Sequence, residues 1–267
     1  MRTETTARWD RQQPVNVQLI GGPTVIIEIG GLRLVTDPTF DPPGDHPVGN
    51  RVLIKTSGPA LNREDIGTID AVLLSHDQHP DNLDNAGREL LKNVPAVLTT
   101  KVAAQRLVDV ATVPLRPWRS TTLARPDGGE LNVTAVPAQH GPDDTDDIVG
   151  PVLGFVLSGS GLRTVYVSGD NASLHVVDQV RQHAGPIDIA ILFLGAARTP
   201  LLDAYLTLGS VEAAKAAAIL QARAVIPVHT EGWAHFTNTP QSVTDAFRAA
   251  DRSDQLVLLE PGQSASL

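Results

Sequence analysis

The chain contains no cysteine. That excludes disulfides, a thiolate zinc site and a cysteine nucleophile, and it fits a reducing compartment. No apolar stretch approaches the roughly 20 residues needed to span a bilayer. Residues 1–14 are polar and charged, without the apolar centre of a secretory signal. Positive charge is not in excess either. Lys and Arg number 21 against 30 Asp and Glu, a net charge of −9, which disfavours a nucleic-acid backbone as partner. The four glycines between Gly150 and Gly161 form no phosphate loop before a helix, and there is no Gly-x-Ser-x-Gly elbow. No internal repeat or linker divides the 267 residues. The expectation is one domain, 1–267, cytoplasmic, with a small-molecule substrate and no nucleic-acid or membrane partner. Assembly as a homo-oligomer stays open.

A hydrophobic content of 42% is ample for a core. Residues 15–19, 24–29 and 32–36 read as a β-meander, with Gly30-Gly31 as a two-residue hairpin turn. Residues 38–60 carry five prolines and read as a long loop. His46 is expected to be exposed there. Lys55, one of four lysines, is expected to be solvated unless it meets substrate. Beyond residue 61 the chain alternates. Strands are expected at 71–75, 96–100, 129–138, 151–158, 162–168, 187–194, 225–228 and 256–259. Helices are expected near 84–93, 101–109, 172–183, 211–221 and 241–250. Asp84, Ser210 and Thr239 are the expected caps, with Pro240 at the first position of the last helix. The uninterrupted apolar run Ile187–Leu194 reads as a strand buried on both faces. The class is α/β (α+β), with strands inside and helices outside.

One loop carries the most chemistry. Ser75-His76-Asp77-Gln78-His79-Pro80-Asp81-Asn82-Leu83-Asp84 follows the apolar strand Ala71–Leu74, at the strand end where open sheets bind ligands. A turn there needs Gly, Asn, Asp or Pro, but has no use for two histidines. Imidazole and carboxylate together suit zinc, iron or manganese. Three more expected strands end in such a side chain: His140 after Val133–Gln139, Asp170 after Thr164–Gly169, and His229 after Ala224–Val228. Asp81 competes as a helix cap, although Asp84 is better placed for that role.

With these blocks in order, the chain resembles the metallo-β-lactamase superfamily of hydrolases. Within it, the chain is similar to the UlaG-like, L-ascorbate-6-phosphate lactonase branch. The likeness spans nearly the whole chain. It covers Val35-Thr36-Asp37-Pro38, the His/Asp loop, Val136-Pro137-Ala138-Gln139-His140, Ser168-Gly169-Asp170 and Ile226-Pro227-Val228-His229. The resemblance implies a four-layer αβ/βα sandwich, the metallo-β-lactamase fold, with a metal site at one edge. It implies that His76, His79 and His140 hold a first ion, that Asp81 and His229 hold a second, and that Asp170 bridges them. Zn²⁺ is the expected ion, one or two per chain, with Mn²⁺ or Fe²⁺ as alternatives. The family loop His-x-His-x-Asp-His here reads His76-x-x-His79-x-Asp81-Asn82, one residue longer and ending in an amide. Asn82 therefore reads as a turn residue rather than a ligand, since amide oxygen suits a borderline metal less than imidazole does. The second place loses a ligand. Asp37 matches an aspartate that supports the metal loop from behind.

The activity implied is hydrolysis of a small ester, lactone or phosphoester, by hydroxide that the metal makes available at neutral pH. Asp81 would orient the water and shuttle its proton. His235, in Gly232-Trp233-Ala234-His235-Phe236, would face the substrate or assist the leaving group. Two alternatives stand beside this: a phosphodiesterase like the N-acyl phosphatidylethanolamine phospholipases, of phospholipase D type, or a non-catalytic metal- or ligand-binding protein that kept the fold.

Overall fold

The computed structural model describes residues 12–267. β1 (Asn16–Gly21), β2 (Thr24–Ile29) and β3 (Leu32–Thr36) form the expected antiparallel meander. Gly30 and Gly31 turn between the last two with φ of 59° and 80°, a conformation that glycine adopts without a Cβ penalty. β4 (Gly44–Val48) and β5 (Arg51–Lys55) pair as a separate hairpin. β6 (Ala71–Leu73), β7 (Val97–Thr100) and β8 (Thr112–Leu115) join β3 in parallel. The second sheet holds β9 (Ser120–Ala124), β10 (Glu130–Ala138), β11 (Val152–Ser158), β12 (Val165–Val167), β13 (Ile189–Phe193) and β16 (Ala224–Val228). A short hairpin, β14 (Arg198–Thr199) and β15 (Leu202–Tyr205), stands apart, and β17 (Ser264–Ser266) closes the first sheet beside β1.

Period-two alternation decides the layers. Val17, Ile27, Leu34 and Leu73 point between the sheets, where they meet Val133, Phe155, Ile191 and Ile226. Their neighbours Ile26, Val35, Val72 and Leu74 point outward, onto Leu90 and Leu91 of α1 (Asn85–Leu91) and Ala103 of α2 (Lys101–Arg106). A one-turn helix, α3 (Asp146–Val149), follows β10. On the far side Tyr166, Ala190 and Leu192 pack under α4 (Leu174–Ala184), α5 (Ser210–Leu220) and α6 (Pro240–Ala249). The result is the expected αβ/βα sandwich. Among the described residues no helix is long and apolar enough to cross a membrane.

Strand direction places the site. β12, β13 and β16 are parallel, while β11 is antiparallel to both β10 and β12. β10, β12 and β16 therefore run the same way, and the residues after them, His140, Asp170 and His229, emerge at one edge. The loop after β6 of the other sheet meets them there.

The structure corrects several expectations. The 38–60 segment is no plain loop, because it contains the β4–β5 hairpin. His46, expected to be exposed, is buried with its ring 5.0 Å from Trp233, since the hairpin folds down onto that side chain. Lys55 is buried rather than solvated. β8 and β9 escaped the sequence reading, being short, rich in Ser and Thr, and in β8 interrupted by Pro114. Residues 256–259 form no strand. They are tied to β16 by one bridge, and the closing strand is β17. Helix α5 begins one residue early, with Gly209 rather than Ser210 at its cap. Asp84 and Thr239 cap α1 and α6 as expected.

Candidate metal centre

Every ligand-type residue singled out in the sequence reaches the same sheet edge. One ligating atom each from His76, His79, His140 and Asp170 lies within 4.8 Å of the others, and the same holds for Asp81, Asp170 and His229. All but His79 are buried.

The hydrogen bonds behind the first group set its tautomers. The Leu206 carbonyl can only accept, so His140 donates to it from Nδ1 at 2.8 Å and turns the lone pair of Nε2 inward. Ser75 Oγ donates to Asp37 Oδ2 at 2.5 Å, which leaves it accepting from His76 Nδ1 at 2.9 Å. His76 Nε2 therefore also presents a lone pair. Both face His79 Nδ1, at 3.0 Å from His76 and 3.3 Å from His140. A zinc ion with Zn–N bonds of about 2.0–2.1 Å in tetrahedral geometry holds its ligand atoms roughly 3.3 Å apart. Asp170 Oδ2 completes the group, 3.6 Å from His140 Nε2 and 4.0 Å from His76 Nε2. Burial holds the His79 imidazole down to about pKa 4, helped by the neighbouring His140, and pushes His76 well below its usual range. Both are neutral at pH 7, as a metal ligand must be. The residues fit a divalent cation.

The second group is built on Asp81. Its Oδ2 lies 3.3 Å from His229 Nε2 and 3.0 Å from His235 Nε2. Burial opposes its charge, but His235 and His229 together hold the carboxyl well below its usual range. Asp81 Oδ1 and both ring nitrogens of His229 are buried without a hydrogen-bond partner. Such orphans are rare and call for an explanation. His229 has φ of 58°, a left-handed conformation costly for a residue with a Cβ, and its N–H donates to the Gly22 carbonyl at 2.8 Å.

Asn82 points inward and donates from its nitrogen, while its Oδ1 is buried without a hydrogen-bond partner. Nδ2 lies 3.0 Å from Asp37 Oδ2 and 3.3 Å from Asp170 Oδ1. Carboxylates only accept, so the amide donates to both. Asp37 also accepts the Ser75 N–H at 2.6 Å. These bonds tie Asp37 to Ser75 and Asn82, at the two ends of the loop that carries His76, His79 and Asp81. Burial pushes the Asp37 carboxyl up to about 7 against those donors.

The extra residue of the loop has its own arrangement. Asp77 turns away from the centre into an ion pair with Arg106, whose Nε donates at 2.9 Å, and Arg88 donates to the Asp77 carbonyl at 2.6 Å. Gln78 lies against Gly150, where a Cβ would fall 1.6 Å from its Nε2. The added length is thus absorbed on the outside, and His76 and His79 still converge. The Leu206 carbonyl, Ser75, Arg106 and Gly150 were not singled out from the sequence. Ser75 alone left a signal there, by adjoining His76.

The loop is also anchored by a buried ion pair. Lys55 Nζ lies 2.9 Å from Asp84 Oδ2, both side chains are almost wholly buried, and the ammonium sits 5.6 Å from the Trp233 ring centre. Asp84 accepts in addition from the N–H groups of Phe40, Asp41 and Gly87 at 2.9, 2.7 and 2.8 Å.

Comparison with known proteins agrees with this geometry. The chain is 26% identical, over 95% of its length and all of the relative's, to a UPF0173 metal-dependent hydrolase of Pyrococcus furiosus. Its fold matches that of an isothiocyanate hydrolase from Delia radicum gut bacteria with a TM-score of 0.79 at 19% identity, covering 94% of this chain and 98% of that one. It also matches a metallo hydrolase of Ignicoccus hospitalis, with a TM-score of 0.72 at 18% identity, covering 96% and 99%. The beta-lactamase superfamily domain matches residues 32–230, from the third strand to just beyond His229. With that match and the αβ/βα sandwich beneath it, the chain belongs to the metallo-β-lactamase superfamily.

Proposed function

We propose that this chain is a metal-dependent hydrolase acting on a small ester, lactone or phosphoester. The observation that carries the reading is the convergence of His76 Nε2, His79 Nδ1 and His140 Nε2, with the first and last turned toward His79 at 3.0 and 3.3 Å. Without a cation, the single N–H that His79 can offer there would satisfy only one of the two buried acceptors, His76 Nε2 and His140 Nε2. His76, His79, His140 and Asp170 form the first place for an ion; Asp81, Asp170 and His229 form the second. Zinc suits this nitrogen-rich set, and manganese or iron also accept it. Bound there, a divalent ion supplies a Lewis acid and acidifies water toward neutrality.

The residues of the chain do the rest. Asp81, kept ionised, takes the proton of the attacking water at its carboxylate. Asp170 is held by Asn82 so that one oxygen faces each group. Burial of the histidines and aspartates keeps competing water out. Within that class we favour a lactonase-like activity, on the strength of the Asp37, His140, Asp170 and His229 blocks and their order.

The test is metal content of protein purified without chelators, followed by turnover of a lactone, an aryl ester and a phosphodiester after stripping and reloading with Zn²⁺, Mn²⁺ or Fe²⁺. Turnover lost on stripping and restored by one of these ions is expected. Tight metal binding without turnover of any of the three would favour the non-catalytic reading.

A further inference from the structure

We propose that His235 supplies, from a different segment, the imidazole that Asn82 withholds from the second metal place. The proposal rests on the metal reading above and concerns its ligand set.

Asn82 offers no imidazole: its nitrogen donates to Asp37 and Asp170, and its one ligand-type atom, the buried and unpartnered Oδ1, is an amide oxygen, which suits a borderline metal less than imidazole does. Turning the amide over would set its oxygen against two carboxylates. The place Asn82 leaves open lies beside Asp81, and there the structure sets another ring. His235 Nε2 is 3.0 Å from Asp81 Oδ2, and His229 Nε2 is 3.3 Å from the same oxygen. Each separation is one that two neighbouring ligand atoms can adopt; Asp81, Asp170 and His229 close within 4.8 Å of one another, and His235 adjoins that group through Asp81. Asp81 Oδ1, Asn82 Oδ1, both nitrogens of His229 and His235 Nδ1 are buried and make no hydrogen bond.

The position of His235 is built, not incidental. Trp233 is buried and bridges to Lys55 of β5, and the Ala234 N–H donates to the Ile54 carbonyl at 3.0 Å. Phe236 packs on both rings, with centroids 4.6 Å from His235 and 4.2 Å from His229. The chain leaving His229 is thereby folded back, so that a histidine six positions later faces the same aspartate. The side chain of His235 is 17% exposed, so one side remains open to solvent and substrate.

The competing role for His235 is to orient Asp81 through a plain hydrogen bond. Replacement by glutamine separates the two, because a glutamine amide keeps a donor at similar reach but is a poor ligand for a borderline metal. Metal-free full-length protein is titrated with Zn²⁺ by calorimetry, and Co²⁺ absorption is read as a second signal. Wild type is expected to bind two ions. His235→Ala and His235→Gln should each leave the first-site Kd unchanged, which also reports that the variant is folded. Each should weaken the second by more than about tenfold, at least what loss of an outer hydrogen-bond partner costs. Wild-type binding by His235→Gln would show an orienting role and overturn the proposal. So would an unaffected His235→Ala, a single ion in saturated wild type, or loss of the second ion in Asn82→Ala but not in His235→Ala. Wild type that binds no zinc would instead defeat the metal reading itself.

Discussion

Removing Lys55 tests whether the buried ion pair under the metal loop does what its geometry implies. In Lys55→Met the apolar stem is kept and the charge is lost. Breaking a buried pair costs about 3–5 kcal/mol, because the partner stays charged and buried. Asp84 retains three backbone N–H donors at 2.7–2.9 Å, so the low end, about 3 kcal/mol, is expected. Asp84→Ala is worse. It strands the Lys55 ammonium with only an aromatic face, removes the cap of α1, worth about 1 kcal/mol, and orphans the buried N–H of Phe40. The sum is on the order of 6 kcal/mol, comparable with the whole stability of a marginal domain. Because Asp84 directly follows the metal loop, a loss this large should also loosen zinc binding. Urea unfolding at pH 7, analysed for midpoint at constant slope, gives the numbers. The double variant Lys55→Met/Asp84→Ala should be more stable than Asp84→Ala alone, since it no longer buries an unpaired ammonium. A cost below about 1 kcal/mol for Lys55→Met, or a double variant no better than Asp84→Ala, would refute the argument.

His140→Ala should lower zinc affinity at the first place at least tenfold while the protein stays folded; unchanged metal content by elemental analysis would make His140 structural. Gly150→Ala should destabilise by at least about 1–2 kcal/mol, from a φ of 83° and the clash with Gln78; in a Gln78→Ala background only the backbone part should remain, as thermal unfolding would show. Two groups act oppositely on metal-free stability between pH 7 and 4. Asp37, pushed up to about 7, binds a proton in the fold that the unfolded chain has lost, so its contribution is full below its ordinary 3.8 and disappears as pH rises through 7. His79, held down to about 4, contributes above its ordinary 6.5 and loses that as pH falls toward 4, roughly 3 kcal/mol in all. Asp37→Asn in the presence of a chelator should therefore lose stability more steeply toward acid than wild type; an equal slope in urea titrations at pH 7 and 5 would count against it.

The local signals in this chain were strong where periodicity is short. Val17–Leu19 alternates, Val25–Ile29 and Leu32–Val35 bury side chains on both faces, and they form a meander with a glycine turn because successive side chains of a pleated strand point to opposite faces, here one between the sheets and the other under the helices. His76, His79, Asp81, His140, Asp170 and His229 could be picked out beforehand, because each stands just past an apolar run and no turn requires it there. Asp84 and Thr239 were legible as caps because capping is a local hydrogen bond. What stayed hidden depends on residues far apart in sequence. Nothing local says that the His140 ring is aimed by the Leu206 carbonyl, or that Lys55 is buried against Asp84. Asn82 could be read as a lost ligand, but not as the donor that ties Asp170 to Asp37. The inward turn of His235 likewise exists only because β5 and Trp233 fold that loop back. Composition and alternation selected the strands and the residues at their ends. Parallel and antiparallel pairing of those strands across two sheets decided which ends meet, and long-range hydrogen bonds decided which atom of each side chain faces the centre.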